Sequence, residues 1–148
     1  MTTLNIYLNY YYFKLFNNNL TGLRSFLNSI PNINFGGCGL SAYILLCYVN
    51  SGYVVGYYDK NCKNKDGFIN NNKSTNHCYL YNKGLYYDSE GIYTKKELKL
   101  KSYNFSAKYD SLYKYNKLEL KNSILEKTLW NSRFEYRNLL IKLFKIKQ

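Results

Sequence analysis

The chain has 148 residues and a formal net charge of +12, and it contains four cysteines, one histidine and nineteen tyrosines. A chain of this length predicts one domain with a core of its own, which excludes the small classes held together by disulfides or metal. Such a positive charge is typical of proteins that bind nucleic acid or an anionic surface. The abundant residues (Asn, Lys, Tyr, Ile and Phe) also have AT-rich codons, so base composition is a second source of the lysines. We therefore do not expect nucleic acid to be a specific partner.

Export and membrane segments are not predicted. The N-terminal residues lack a basic region followed by an uninterrupted apolar stretch, so no secretory signal is expected. The longest apolar run, residues 42–49, is far too short to span a bilayer. Without a signal, the cysteines are predicted to be free thiols. We expect a soluble cytoplasmic protein, and the sequence leaves its oligomeric state open.

The first part of the chain predicts helices around a glycine-rich turn. Residues 4–30 predict one or two helices packed on the core, with a break at residues 17–19. Pro31 ends this region and starts the turn that leads to residues 35–42, which read FGGCGLSA. Apolar residues then recur at helical spacing up to residue 49. A helix that packs into the core is therefore predicted to begin near Cys38.

The middle of the chain predicts β-structure. Residues 52–58 are rich in β-forming side chains and predict a strand, whereas the polar residues 59–76 predict a surface loop or an embellished hairpin. Residues 77–81 and 85–88 then predict a hairpin whose turn contains residues 82–84.

Two capping-box patterns predict helix starts in the last third of the chain. Thr94 and Glu97 have this spacing ahead of a short helix, and Ser123 and Glu126 have it ahead of a longer one. The longer helix is predicted over residues 124–146. Its apolar side chains lie along one stripe, and basic side chains are scattered around the other side. Together these elements predict an α+β fold.

Three residues of the central segments have the chemistry of an activated thiol nucleophile. Cys38 lies at a predicted helix N-terminus, which lowers the pKa of a thiol. A two-residue loop at residues 82–83 would place His77 directly opposite Asp88 in the hairpin, so that the carboxylate could orient the imidazole. A three-residue loop would place Ser89 opposite His77 instead, and Glu90 is a further alternative for this role.

Zinc is the competing use of cysteine and histidine. Zinc sites usually contain closely spaced ligand pairs, but no two cysteines here are separated by two to four residues. His77 and Cys78 are adjacent on a predicted strand and should point to opposite faces. We therefore predict no metal site and no cofactor, and we expect Cys47 and Cys78 to be ordinary buried cysteines.

The glycine-rich segment around Cys38, followed by His77 and by residues 87–91 (YDSEG), resembles the papain-like superfamily in its broad sense. It is most similar to the transglutaminase-like fold and to the bacteriocin-processing peptidase domains of ABC transporters. The resemblance implies a single papain-like domain over residues 1–148. Its core would span about residues 31–91, with a helical extension over about residues 94–148. In this fold the helix that carries Cys38 packs on a small antiparallel sheet, with additional N- and C-terminal helices.

The resemblance also implies thiol chemistry on an amide bond of a peptide or protein substrate. Cys38, His77 and Asp88 would form the catalytic triad of a peptidase, deamidase or transglutaminase-like enzyme. In papain relatives a Gln shortly before the cysteine helps to form the oxyanion hole. The nearest amides in this chain are Asn32 and Asn34, which are therefore the candidates.

Two other functions compete with this one. The first is a catalytically inactive papain-like interaction module that uses the basic C-terminal helix as its binding surface. The second is sequence-independent binding of single-stranded nucleic acid through tyrosines interleaved with lysines, which no recognised motif supports.

Overall fold

The structure is a computed structural model that describes residues 1–58, 68–70, 73–101, 112–125 and 134–146. Within these residues the fold is α+β, as predicted, with helices packed on a small antiparallel sheet. None of the described helices has the length and apolar character needed to cross a membrane.

The two N-terminal helices each begin directly after a residue whose side chain caps them. Helix α1 spans Thr3–Tyr12 and continues as a π-helical turn over Phe13–Asn17, and helix α2 spans Leu20–Asn28. The Oδ1 atom of Asn19 accepts from the backbone N–H of Gly22 at 2.7 Å, which caps the second helix. The predicted break at residues 17–19 is therefore confirmed.

Helix α3, Cys38–Val49, is the centre of the core. Every residue of its first nine is buried, from Cys38 to Leu46. It contacts α2 on one side and the sheet on the other. Asn50 adopts a left-handed conformation with φ 55° and ends the helix through an N–H bond to the carbonyl of Leu46. A helix beginning at Cys38 was predicted, and this prediction is confirmed.

The described strands form one antiparallel sheet. They are β1 (Tyr53–Tyr58), β2 (Phe68–Asn70), β3 (Lys73–Asn82), β4 (Leu85–Tyr87), β5 (Ile92–Tyr93) and β6 (Leu112–Tyr115). The order is β5-β4-β3-β1-β6, and β2 pairs with the first residues of β3. The strand over residues 52–58 and the hairpin after residue 77 are confirmed. Within residues 59–76, β2 and the start of β3 form the embellished hairpin, and residues 59–67 and 71–72 lie outside the described part.

The two faces of the sheet pack against different helices. Cys78 and Leu80 point to the α3 side and join the main core, together with Val54. Tyr79 and the opposite face join a smaller cluster with Leu98, which belongs to helix α4 (Lys95–Lys101).

The capping box ahead of α4 is confirmed. The backbone N–H of Glu97 donates to Thr94 Oγ1 at 3.2 Å, and the backbone N–H of Thr94 donates to Glu97 Oε1 at 3.4 Å. The two bonds satisfy N–H groups that the first turn of a helix leaves unpaired.

The single helix predicted over residues 124–146 is wrong. Helix α5 spans Lys117–Leu125 and helix α6 spans Arg137–Leu143, with a turn at residues 134–136. Helix α5 starts earlier than predicted because Asn116 caps it: its Oδ1 accepts from the backbone N–H of Glu119 at 2.7 Å. Ser123 therefore lies inside α5 and is not a cap, and Glu126 lies outside the described residues.

The basic residues that were predicted to share that helix are not all on one helix. Lys142 and Lys145 are exposed, but Arg137 is buried at the start of α6. Lys127, Arg133 and Lys147 lie outside the described residues. The described basic residues therefore do not line one continuous helix.

Candidate active site

The hairpin between β3 and β4 is closed by a turn at Lys83 and Gly84. Both residues have positive φ, 50° and 81°, as a two-residue type I′ loop requires. Asn82 pairs with Leu85 across the loop. The predicted loop at residues 82–83 is therefore wrong, because the left-handed conformations fall on Lys83 and on Gly84, where glycine tolerates them.

This register moves the predicted partner of His77 by two residues. Leu80 pairs with Tyr87, so a continued ladder would put Asp88 opposite Tyr79 and not opposite His77. A shift of two residues keeps the side chain on the same face. Asp88 is thus the diagonal neighbour of His77, and its Oδ2 lies 3.0 Å from His77 Nε2. The contact that the sequence predicted is present, although the register that predicted it is wrong.

Asp88 is held by the turn that follows β4. Its Oδ1 accepts backbone N–H bonds from Glu90 and Gly91, both at 2.9 Å. The Arg24 guanidinium donates from Nε to the Asp88 carbonyl at 3.0 Å. The side chain is buried. These bonds leave Oδ2 directed at His77 and fix the carboxylate in one orientation.

Ser89 and Glu90 were the alternatives to Asp88, and neither has this bond in the described structure. Ser89 is buried, and its Oγ accepts from Asn34 Nδ2 at 2.9 Å. Glu90 is exposed. Of the three residues, the described contacts single out Asp88 as the partner of His77.

The described ladder pairs along one edge of β3 leave a gap beside the Asp88 turn. On the edge opposite β1, the described ladder pairs stop at Thr75 and resume at Leu80. In an antiparallel hairpin, the two residues that close a two-residue loop exchange two hydrogen bonds, and every second residue of each strand does the same. In β3 these residues are Asn82 and Leu80, so the next backbone N–H directed toward the β4 side is that of Cys78. The chain turns away at Asp88, so β4 does not extend far enough to take this N–H.

Cys38 lies close to this part of β3, because Cys78 and His77 both lower the pKa of its thiol. His77 and Cys78 belong to opposite faces of the sheet.

These contacts lower the pKa of the Cys38 thiol well below its ordinary value of 9.0. The largest cause is the neighbouring thiol of Cys78. Burial opposes it, since a charged sulfur loses hydration, but the hydrogen bond and positive charge of His77 and the Cys78 N–H act in the same direction as the thiol. Cys38 also lies in the first turn of α3, where free N–H groups favour a negative charge.

The His77 ring is held as a cation between Cys38 and Asp88. Burial is the largest single effect and favours the neutral ring, but the bonds to Asp88 and Cys38 and the charges of both outweigh it and raise the pKa of His77 to about 9. The bond to Asp88 uses Nε2, which leaves Nδ1 for the sulfur. The arrangement favours a thiolate beside an imidazolium whose orientation is set by a carboxylate.

The two oxyanion candidates differ in their surroundings. Asn32 is exposed and has a left-handed backbone with φ 61°. Asn34 is half-buried; its Nδ2 donates to Ser89, and its buried Oδ1 finds no hydrogen-bond partner among the described residues. Asn34 therefore connects the glycine-rich turn to the residue after Asp88, and Asn32 has no such contact among the described residues.

Access to the sulfur is narrow. Cys38 is only 3% exposed and the His77 side chain 14%. The ring of Phe134 packs beside Gly37, the residue before Cys38: a Cβ atom on this glycine would lie 3.1 Å from the ring.

Sequence reasoning missed two residues of this site. Cys78 was expected to be an ordinary buried cysteine, although its position next to His77 was a usable signal. Arg24 carried no signal, because only the tertiary packing of α2 brings it to the Asp88 carbonyl.

In the described part of the chain, no group of three or more His, Cys, Asp or Glu side chains is arranged to hold a metal ion. Comparisons of the chain with protein-family models, curated proteins and solved structures gave no match.

Proposed function

We propose that the protein is a small papain-like thiol hydrolase or acyltransferase that acts on an amide bond of a peptide or protein. The observation that carries this proposal is the 3.0 Å bond between His77 Nε2 and Asp88 Oδ2, on a ring whose pKa the neighbouring Cys38 also raises. A nucleophile, a base and an orienting carboxylate in contact are the parts that covalent catalysis at a carbonyl requires.

The first half of the reaction forms a thioester. The Cys38 thiolate attacks the carbonyl carbon of the amide, and the carbonyl oxygen becomes an oxyanion. The free N–H groups of the first turn of α3 and the amide of Asn34 are the candidate donors to it. His77 then gives its proton to the amide nitrogen, the C–N bond breaks, and an amine or ammonia leaves.

The second half returns the enzyme to its starting state. Neutral His77 takes a proton from water, the hydroxide attacks the thioester, and the C–S bond breaks so that Cys38 leaves as a thiolate. If a primary amine replaces water, the same steps transfer the acyl group. The reaction is therefore acyl transfer when the acceptor is an amine. With water as the acceptor, it is hydrolysis when an amine leaves and deamidation when ammonia leaves.

The narrow access to Cys38 favours the second candidate function, an inactive interaction module on the same fold. A cysteine that is 3% exposed can be a core residue, and its proximity to His77 would then stabilise the fold only. The basic-helix form of this alternative has lost its support in the described residues, because α5 and α6 are separate and Arg137 is buried.

Two measurements test the proposed function. The first is the rate of alkylation of each cysteine by iodoacetamide at pH 7, followed by peptide mass mapping. Cys38 should react selectively, and His77→Ala should slow it more than about tenfold because the thiolate loses its counter-ion. Cys47→Ser, at an exposed cysteine, is the matched control that should leave the Cys38 rate unchanged.

The second measurement separates the possible reactions on denatured casein. New peptide termini report hydrolysis, ammonia release alone reports deamidation, and incorporation of a fluorescent amine reports acyl transfer. Each signal must disappear in Cys38→Ser. A Cys38 that resists alkylation in the native protein, together with no signal in any assay, would support the inactive module.

A further inference from the structure

The N-terminal helix is apolar on two opposite sides. From α1 and its π-helical turn, Ile6 and Phe13 are buried in the main core. Six other large apolar side chains of the same helix are between 57% and 73% exposed, and we call them the outer face: Leu4, Leu8, Tyr11, Tyr12, Leu15 and Phe16. At about 100° per residue, these six lie within one arc of about 140° on the side away from Ile6 and Phe13. A surface helix normally carries polar side chains there.

The outer face is large enough for a protein interface. An aromatic side chain offers about 150–250 Å² when fully covered, and an aliphatic one roughly 60–120 Å². Weighted by the exposed fractions, the outer face offers roughly 400–700 Å² of apolar area. A standard interface covers about 800 Å² on each partner and is about 56–65% apolar, which is roughly 450–520 Å². Single exposed leucines need no explanation, but a contiguous patch of this size marks an interaction site.

The spacing of the outer face fits a second copy of the same helix. Leu4, Leu8, Tyr11 and Leu15 are separated by four, three and four residues, as in the seam of a coiled coil. This order is the same in both directions. An antiparallel second copy therefore places Leu4 against its Leu15 and Leu8 against its Tyr11, and both pairs have their midpoint between residues 9 and 10. One two-fold axis then relates the two copies, as an isologous dimer requires.

The charge of the helix favours a second copy over a lipid surface. Lys14 is the only charged side chain in residues 1–17. Helices that lie on membranes are rich in Lys and Arg, whereas the centres of protein interfaces are poor in charge and rich in Tyr and Phe. In the antiparallel arrangement the two Lys14 side chains lie at opposite ends of the seam, about 13 Å apart along the helix axis. This separation exceeds the screening length of about 10 Å at 0.1 M salt.

We propose that the protein forms a two-fold symmetric dimer in which the outer faces of two α1 helices pack antiparallel. Leu8 and Tyr11 of each copy lie at the centre of the interface. The core side of α1 keeps its contacts, so dimerisation requires no rearrangement of the chain. The dimer does not rest on the proposed function, because no residue of the candidate active site belongs to α1 or to the π-helical turn.

The test is sedimentation velocity of the full chain between about 1 and 200 µM, a range that covers micromolar dissociation constants. We expect twice the mass of one chain at the highest concentration and dissociation on dilution. Leu8→Glu puts a charge at the centre of the interface and should raise the dissociation constant at least about tenfold. Because Leu8 is exposed in one chain, unfolding of the dilute variant in urea should match wild type. Leu118→Glu is the matched control, since Leu118 is 66% exposed on α5, and it should dimerise like wild type.

Cross-linking tests the orientation of the two helices. In a Cys47→Ser, Cys62→Ser background, chains with Leu4→Cys are mixed with chains that have Leu15→Cys and are treated with a short bis-maleimide. The reagent should join the two variants to each other. Cross-links between identical chains instead would contradict the antiparallel arrangement.

Three results would overturn the proposal. The first is a wild-type chain that stays monomeric at every concentration. The second is a dimer that Leu8→Glu leaves intact, which would place the interface elsewhere; if this variant does not fold, Tyr11→Ser replaces it with the same expected loss. The third is a monomer that binds vesicles of phosphatidylglycerol and phosphatidylcholine and loses this binding in Leu8→Glu, which would assign the outer face to a lipid surface.

Discussion

Asp88 sets the geometry of the candidate site through bonds on three sides. Its Oδ1 accepts from the Glu90 and Gly91 N–H groups, its Oδ2 meets His77, and its carbonyl accepts from Arg24. A buried carboxylate with these partners has one orientation. It therefore presents one charged oxygen to the ring and fixes which ring nitrogen faces the sulfur.

The first prediction concerns the charge of Asp88. Asp88→Asn keeps the shape of the side chain but removes the anion beside His77, so the pKa of His77 falls and the ring is less often a cation. We expect Cys38 to be alkylated several-fold more slowly at pH 7, and unfolding in urea to show a loss of about 1–3 kcal/mol.

The matched control for this prediction is Glu90→Gln in the same turn. Glu90 is exposed and its side chain is not a described partner of His77, so the alkylation rate should stay at the wild-type value. Equal slowing in both variants would show that the turn, and not the Asp88 charge, controls the thiol.

Individual residues were predictable from sequence only where a local pattern was enough. The pairing of His77 with Asp88 survived an incorrect register because a shift of two residues keeps the face of the strand. The effect of Cys78 on the Cys38 thiol depends also on the packing of α3 against β3, which the position of Cys78 next to His77 did not show.

At the scale of elements, the start of α3 positions the nucleophile. Gly37 is the N-cap, with φ −106°, so its conformation does not require glycine. The close neighbours of Gly37 do require glycine, because a Cβ atom there would lie 2.6 Å from the Ile33 carbonyl oxygen and 3.1 Å from the Phe134 ring. The tight turn before Cys38 is therefore possible because this residue has no side chain.

The second prediction follows from this crowding. Gly37→Ala should lower the free energy of unfolding by about 1–3 kcal/mol, because the Ile33 carbonyl belongs to the backbone and must shift. It should also slow alkylation of Cys38, since the helix start moves with it. Gly84→Ala is the control: a Cβ atom at residue 84 would have no neighbour within 4 Å, but the backbone there has φ +81°. It should destabilise the hairpin and leave the Cys38 rate unchanged relative to wild type under native conditions.

The third prediction concerns the hairpin turn. Lys83 has φ 50°, a left-handed conformation that Asn tolerates better than Lys. Asn followed by glycine is also the preferred pair for a type I′ loop. Lys83→Asn should therefore raise the free energy of unfolding by roughly 0.5–1 kcal/mol in urea. An unchanged or lower value would contradict the turn type.

Elements with local signals were predicted correctly, and one with competing signals was not. The capping box at Thr94 and the apolar run after Cys38 each fixed a helix start. The pattern at Ser123 had the same spacing, but Asn116 seven residues earlier caps the helix first. The turn at residues 134–136 then separates α6 from α5, and no local pattern in the sequence distinguished it from a continuing helix.

At the scale of the molecule, the two ends of the chain meet over the core. The Tyr10 hydroxyl donates to the Leu143 carbonyl at 2.9 Å, and the Tyr136 hydroxyl donates to the Met1 carbonyl at 3.0 Å. Phe134 extends this contact to the turn before Cys38. The C-terminal segment therefore supports the site as well as the N-terminal helices.

The fourth prediction tests this support. Phe134→Ala removes a ring that is 4% exposed, which should cost about 3–5 kcal/mol of stability. It should also speed alkylation of Cys38, because the ring no longer packs beside Gly37. Phe26→Ala is matched in burial, and its ring contacts Tyr10 and Phe144 instead. Phe26→Ala should lower the stability of the protein without the same increase in the alkylation rate of Cys38. Equal alkylation rates in the two variants would contradict the role of Phe134.

The candidate site requires that His77 is a cation between Cys38 and Asp88, and the single histidine of the chain makes its charge directly measurable. Its ring resonance, followed by NMR between pH 5 and 10, should titrate with a pKa of about 9 and not 6.5. The sign follows from the contacts: both partners favour the charged ring, so it stays protonated at neutral pH and loses its proton only as the pH rises through about 9. The pKa should fall in Cys38→Ser and in Asp88→Asn. A value near 6.5 that neither substitution changes would contradict the thiolate–imidazolium–carboxylate site.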